Sequence, residues 1–302
     1  MDMTEPIQIR AEDGRALDVY IAGPATGEIL LFHDGTPGTG RPSRKVLDAT
    51  EPRNLRYVSV TRPGYAGSTR RPGRRIADVV DDAVAVLDHL GADRCVTMGW
   101  SGGGPHVLAC AALLPDRVLA GAAIASVAPY PAEGLDWAAG MGRENIAEFG
   151  AAVAGTASLE AFLEAAAPGL GQATGEDIAD ALGDLIPPVD RLALTGELAA
   201  DIADDIARSV STGIWGWHDD DLAFVSPWGF DLDSIRRPFA VWQGTEDRMV
   251  PFSHGEWLAG HIPGVRARLM PGHGHLSLAA DTLGTILDDL LALAGRTTGG
   301  SA

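Results

Sequence analysis

Cysteine is scarce: two in 302 residues rule out a disulfide framework. Cys95 falls in an apolar run and Cys110 in a helical pattern, so both read as small buried hydrophobes. No window approaches eighteen uninterrupted apolar residues, which argues against a transmembrane helix. The start "MDMTEPIQIR" lacks the basic opening and apolar middle of a secretory signal, and a cytoplasmic location is expected. Positive charge is also short, 23 Lys and Arg against 41 Asp and Glu, a formal net charge of -18. Nucleic acid and anionic membranes would repel such a molecule as a whole, leaving a small-molecule substrate as the expected partner. There is no internal repeat.

The composition that is present, 46% hydrophobic, is ample for a sizeable core. Short β-like runs alternate with helical patterns in the first third and last quarter, the signature of an α/β sheet with crossover helices. The runs are "IQIR", "ALDVYIA", "EILLFH", "RYVSV", "RCVTMG", "VLAGAAIAS", "PFAVWQG" and "VRARLM". In "IADVVDDAVAVLDHL", the residues Ile76, Val79, Val80, Ala83, Val84, Leu87 and Leu90 share one helical face, which should pack on the sheet. From about residue 129 to 227 the pattern is helical without clear strands and punctuated by "APYPAEG", "IPPVD" and "VSPWGF", which reads as an inserted helical domain. Tyr130 to Val225 holds 18 acidic and 3 basic residues, expected to form a solvated surface. The boundaries expected are 1–128 with 228–296 for the core, 129–227 for the insert, and a disordered tail over 297–302.

In "TMGWSGGGPHVLA", Gly99, Ser101 and Gly103 fit G-x-S-x-G between a strand and a helix. That turn lifts a serine hydroxyl above the sheet edge, and it needs small neighbours because side chains two residues away would collide with it. A serine is a weak nucleophile without a base held by a third group. Downstream, "VWQGTEDRMVP" offers Glu246 and Asp247 after one strand, and "LMPGHGHLSL" offers His273 and His275 after the last. The order Ser, acid, His is the one this turn expects.

Together, "FHDGTPG", "VTRPGYAGS", "GWSGGG", "GTEDRMVP" and "GHGHLSL" make the chain resemble the α/β-hydrolase family, in its subgroup with a cap inserted after the sixth strand. The resemblance implies a doubly wound, mostly parallel sheet of about eight strands with the site at its carboxyl edge. It places Ser101 as nucleophile, Asp247 as acid and His275 as base, with Glu246 and His273 as the alternatives. Gly102 and Thr36 correspond to the oxyanion hole. Asp34 departs from the family pattern and is expected to turn away toward Arg62 or Arg41. Trp100, Trp215 and Trp217 are candidates to line a substrate pocket. His33 is expected to buttress the oxyanion loop, and Arg62 to form a salt bridge within the loop network.

The implied activity is hydrolysis of a small ester, lactone or amide through an acyl-enzyme, with no cofactor. Carbon–carbon cleavage, lyase or perhydrolase chemistry with the same triad stays open, as does a non-catalytic small-molecule receptor. Aminopeptidase activity would need a cap acid facing the pocket. An epoxide hydrolase would carry Asp where this chain has Ser101. The histidines fit no metal-ligand spacing. The acids of "WHDDDLAF" lack the glycine turn and distal Glu of a calcium loop and are expected to be solvated or to cap a helix.

Overall fold

Parallel strands covered on both faces read as near-continuous apolar runs, and the chain supplies them in its centre. The computed structural model describes residues 5–296; the tail 297–302 lies outside the described residues. The eight strands are β1 (Ile7–Arg10), β2 (Ala16–Ala22), β3 (Glu28–His33), β4 (Leu55–Val60), β5 (Cys95–Trp100), β6 (Val118–Ile124), β7 (Phe239–Gly244) and β8 (Arg266–Met270). They form one sheet in the order β1-β2-β4-β3-β5-β6-β7-β8. β2 runs antiparallel to both neighbours and all other pairs are parallel.

The sheet is flanked by α1 (Arg44–Thr50), α2 (Val79–His89), α3 (Gly104–Leu113), α10 (Phe252–His261) and α11 (His275–Leu293). Successive side chains of a strand point to opposite faces, so alternate residues of β3 feed separate cores. Ile29 and Leu31 pack with Leu87 of α2 and Leu108 of α3, whereas Leu30 and Phe32 pack with Ile286 and Leu287 of α11. On α2 the buried face differs slightly from the pattern. Val86 is buried where Val84 was expected, and Asp82 is buried beside it against Arg15 at 2.6 Å. A 3₁₀ turn over Ile76–Asp78 precedes the helix, and its three residues per turn rotate the face relative to a uniform α-helix.

Between β6 and β7 lie α4 (Arg143–Ala154), α5 (Thr156–Gln172), α6 (Ile178–Ala181), α7 (Pro188–Ala193), α8 (Gly196–Ser209) and α9 (Trp215–Phe224). They form two small cores, each completed by the sheet-bearing part. Leu276 joins Ile178, Leu194 and Ile206, and Tyr65 joins Leu159, Leu163 and Trp217. The expectation of a solvated acidic surface fails at this junction. Asp190, Asp219, Asp220 and Asp221 are all buried. Asp219 meets Arg70, and Asp220 meets both Arg62 and Arg74. Their cations lie across the interface, far away in sequence, so a scan of local charge balance finds only the acids. No helix among the described residues is long and apolar enough to cross a membrane.

Candidate active site

At the end of β5 the chain turns through Ser101 with φ 54°, a left-handed conformation that a non-glycine residue adopts only when its surroundings impose it. The glycines follow from contact. A Cβ on Gly99 would sit 2.3 Å from the Gly103 carbonyl oxygen, and one on Gly103 would sit 2.0 Å from that of His33. Neither backbone can withdraw without moving a central strand. Gly103→Ala is therefore expected to lower the unfolding free energy by about 3 kcal/mol or more, read as a fall in the urea midpoint.

His275, the first residue of α11, is buried, and its Nδ1 lies 2.8 Å from Oδ2 of Asp247. Asp247 is itself fixed: Oδ1 accepts from the backbone N–H of Met249 and Val250, and Oδ2 also accepts from the Gln243 amide. Nε2 of His275 is buried without a hydrogen-bond partner; a Ser101–His275 bond is not formed in this arrangement. Both residues line the same cavity of about 870 Å³, the range typical of small-ligand sites. Burial works against a charge on His275, but the charge of Asp247, its hydrogen bond and the charge of Asp190 outweigh it and hold the imidazole pKa above its ordinary value. His273 lies outward, its Nδ1 near the Pro271 carbonyl, and Glu246 is exposed.

Thr36 and Gly102 run side by side, since a Cβ on Gly102 would fall 2.3 Å from Thr36 Oγ1. Their peptide planes are held from behind. Arg62 donates to the carbonyls of Asp34 and Gly35 at 2.7 and 2.6 Å. In a trans peptide the C=O and N–H point opposite ways, so the Thr36 N–H is turned away from Arg62. Likewise the Ser101 carbonyl accepts from Gly104 N–H, which orients the N–H of Gly102. Asp34 pairs with neither arginine, contrary to expectation. Its carboxylate accepts from the N–H groups of Gly35 and Gly40, both at 2.8 Å, while Arg41 pairs with Asp204. A loop of small residues leaves free donors close at hand, and the carboxylate closes the loop on them.

A family model described as the alpha/beta hydrolase fold matches residues 28–281. The chain belongs to the alpha/beta hydrolase fold family. Among solved structures it is similar to an enol-lactonase from Burkholderia xenovorans LB400, with TM-score 0.65, 19% identity, and 95% of this chain and 100% of that one covered. It is also similar to an epoxide hydrolase A from Mycobacterium thermoresistibile, with TM-score 0.66, 21% identity and coverage of 95% and 98%. An esterase from Rhodococcus sp. ECU1013 matches with TM-score 0.63, 19% identity and coverage of 96% and 99%. At these identities the likeness shows the fold. The chain matches no curated protein in sequence.

Several residues of this alpha/beta hydrolase that shape the site escaped the sequence pattern. Asp190 of α7 reaches from the insert to the start of α11, where it accepts from the N–H of His275 and Ser277 and from the Ser277 hydroxyl at 2.7–2.8 Å. It thereby serves two of the unpaired N–H groups at that helix start. Asp220 collects Arg62, Arg74, the Tyr65 hydroxyl and the Thr36 hydroxyl. His106 Nδ1 meets the Gly102 carbonyl at 2.9 Å. His33 stacks with His106 beneath the loop, and burial together with Arg62 pushes its pKa down to about 3. Trp100 and Trp217 line the cavity. Trp215, expected there too, lies outside the lining with the Arg70 guanidinium 4.0 Å above its ring. It sits two residues from Trp217, which is just over half a turn around the helix. The glycine at 216 could have signalled the docking, since a Cβ there would strike the Tyr65 ring at 2.3 Å.

Proposed function

We propose that this alpha/beta hydrolase cleaves a small ester, lactone or amide by acyl transfer to water, with Ser101 as nucleophile. The supporting observation is the His275 imidazole, bound to Asp247 through one nitrogen while the other is buried without a partner in the cavity that Ser101 also lines. Nε2 takes the Ser101 proton as Oγ attacks the carbonyl, and the N–H groups of Thr36 and Gly102 receive the oxyanion. Asp247 fixes the tautomer and stabilises the imidazolium. The histidine then returns its proton to the leaving group, and after activating water releases the acid. Catalytic hydrogen bonds often tighten only with substrate, so the open Ser101–His275 contact is compatible with this role. The helices inserted after β6 act as a cap, setting which molecule enters.

The test is a fluorophosphonate probe followed by peptide mapping, alongside a panel of acyl esters, lactones and amino-acid amides. Labelling on Ser101 with turnover of at least one class is expected; absence of both would end this reading.

Two further outcomes concern pH. Because the working base is neutral His275, kcat/KM should rise with pH through the raised imidazole pKa, giving an acid limb centred above 6.5. Asp190 is a positioning residue that also favours the imidazolium, so Asp190→Asn should lower kcat and move the acid limb to lower pH. A purely structural role would lower the rate with the limb in place.

A further inference from the structure

Asp221 stands apart from its neighbours on α9. Asp219 is engaged by Arg70, and Asp220 by Arg62 and Arg74. Asp221 is 0% exposed, and no N–H or hydroxyl among the described residues donates to its carboxyl oxygens, which leaves only a proton shared with a neighbouring carboxyl to bond them. The group beside it is a second acid, Glu148 of α4, whose Oε1 accepts from the Trp217 indole at 2.6 Å. Trp217, Asp221 and Phe224 recur at i, i+4 and i+7 and all line the cavity, so Asp221 belongs to the helix stripe that faces it.

A buried carboxylate without donors is costly, and a folded chain tolerates one only when it stays protonated or a partner arrives. Burial pushes the carboxyls of both Asp221 and Glu148 up, and for Asp221 the nearby Glu148 and Asp220 add to this, opposed by Arg74. Arg74 is itself committed to Asp220 at 2.6 Å. Arg41, Lys45 and Arg143 also line the cavity, but among the described residues Arg41 pairs with Asp204 and Arg143 with Asp184, and no cation forms a salt bridge with Asp221 or Glu148.

We propose that the Asp221–Glu148 pair binds a protonated amine on the substrate. An ammonium brings N–H donors for the two Asp221 oxygens that lack one, and a positive charge opposite in sign to the acid pair. The placement narrows the class. A Cβ on Gly102, the residue after Ser101, would lie 3.0 Å from the Phe224 ring, and Asp221 sits about 4.5 Å from Phe224 along the helix axis. An acyl group whose amine lies a few bonds from its carbonyl spans that interval, so amino-acyl esters and amides are the substrates inferred. This class rests on the serine-hydrolase reading; the amine site itself does not.

The experiment is calorimetric titration of the full chain at pH 7.5 with 2-phenylethylammonium and with its neutral counterpart 2-phenylethanol. The ammonium is expected to bind at least tenfold more tightly. Asp221→Asn should remove that preference and Glu148→Gln reduce it, with circular dichroism confirming the fold of each. Equal affinity of the two probes for the parent chain overturns the site, as does a preference that survives intact in folded Asp221→Asn. Should neither variant fold, the parent comparison decides alone. The two readings fail separately. Ammonium preference with no Ser101 labelling would remove the reaction and keep the site; labelling and neutral-ester turnover without that preference would do the reverse.

Discussion

Ser101→Ala is expected to lower kcat on the best acyl substrate by about 10⁶-fold, leaving the fold and the urea midpoint nearly unchanged. The size of the loss reflects a division of labour. In the proposed mechanism His275 and Asp247 have value only through the hydroxyl they activate, so removing it would also idle the pair bound at 2.8 Å. What should remain is the contribution of the proposed oxyanion donors and of binding in the cavity, on the order of 10³–10⁴ over water. Stability should barely move, or even rise slightly, because the substitution removes only one oxygen from a residue that lines a cavity. A wild-type rate on p-nitrophenyl acetate in the alanine variant would show that the hydrolysis measured does not pass through this serine.

Asp220→Ala carries the largest expected effect on stability, about 3–5 kcal/mol, seen as a drop of roughly 10 °C in Tm. Burial alone would push the Asp220 carboxyl up; Arg62 and Arg74 outweigh it and hold the carboxyl well below the usual range. Removing it leaves two guanidinium groups, each on a side chain 4% exposed, without the counter-charge they share. The sign of the pH dependence follows from the depressed value. The stabilisation is fully present above the ordinary carboxylate pKa and is lost as pH falls from there through the depressed one. Activity should fall as well, because Arg62 is the group that holds the carbonyls of Asp34 and Gly35. An unchanged Tm in the alanine variant would mean that the network contributes no net stability.

That network also marks where sequence reading stopped. The run His218-Asp219-Asp220-Asp221 spreads three acids over about 200° of the helix surface, and nothing local distinguishes the one that anchors Arg62 from the one turned to the cavity. Asp34 illustrates the same limit. Its neighbours in sequence include glycines with free N–H groups, and these, rather than the distant arginines, are the partners of its carboxylate.

The strands, the serine turn and the order of the acid and histidine loops were written in the chain itself. They depend on short-range rules: apolar runs for strands covered on both faces, glycines where a Cβ would meet a carbonyl, and loops that follow strand ends. Tertiary structure alone decided which acids are buried, that Asp190 holds the start of α11, and that Trp217 faces the cavity while Trp215 does not. Those outcomes turn on pairings between the helical insert and loops about 85 to 160 residues away, such as Arg62 with Asp220 and Asp190 with His275. A charge finds its partner through space, and no periodicity in the sequence encodes that distance.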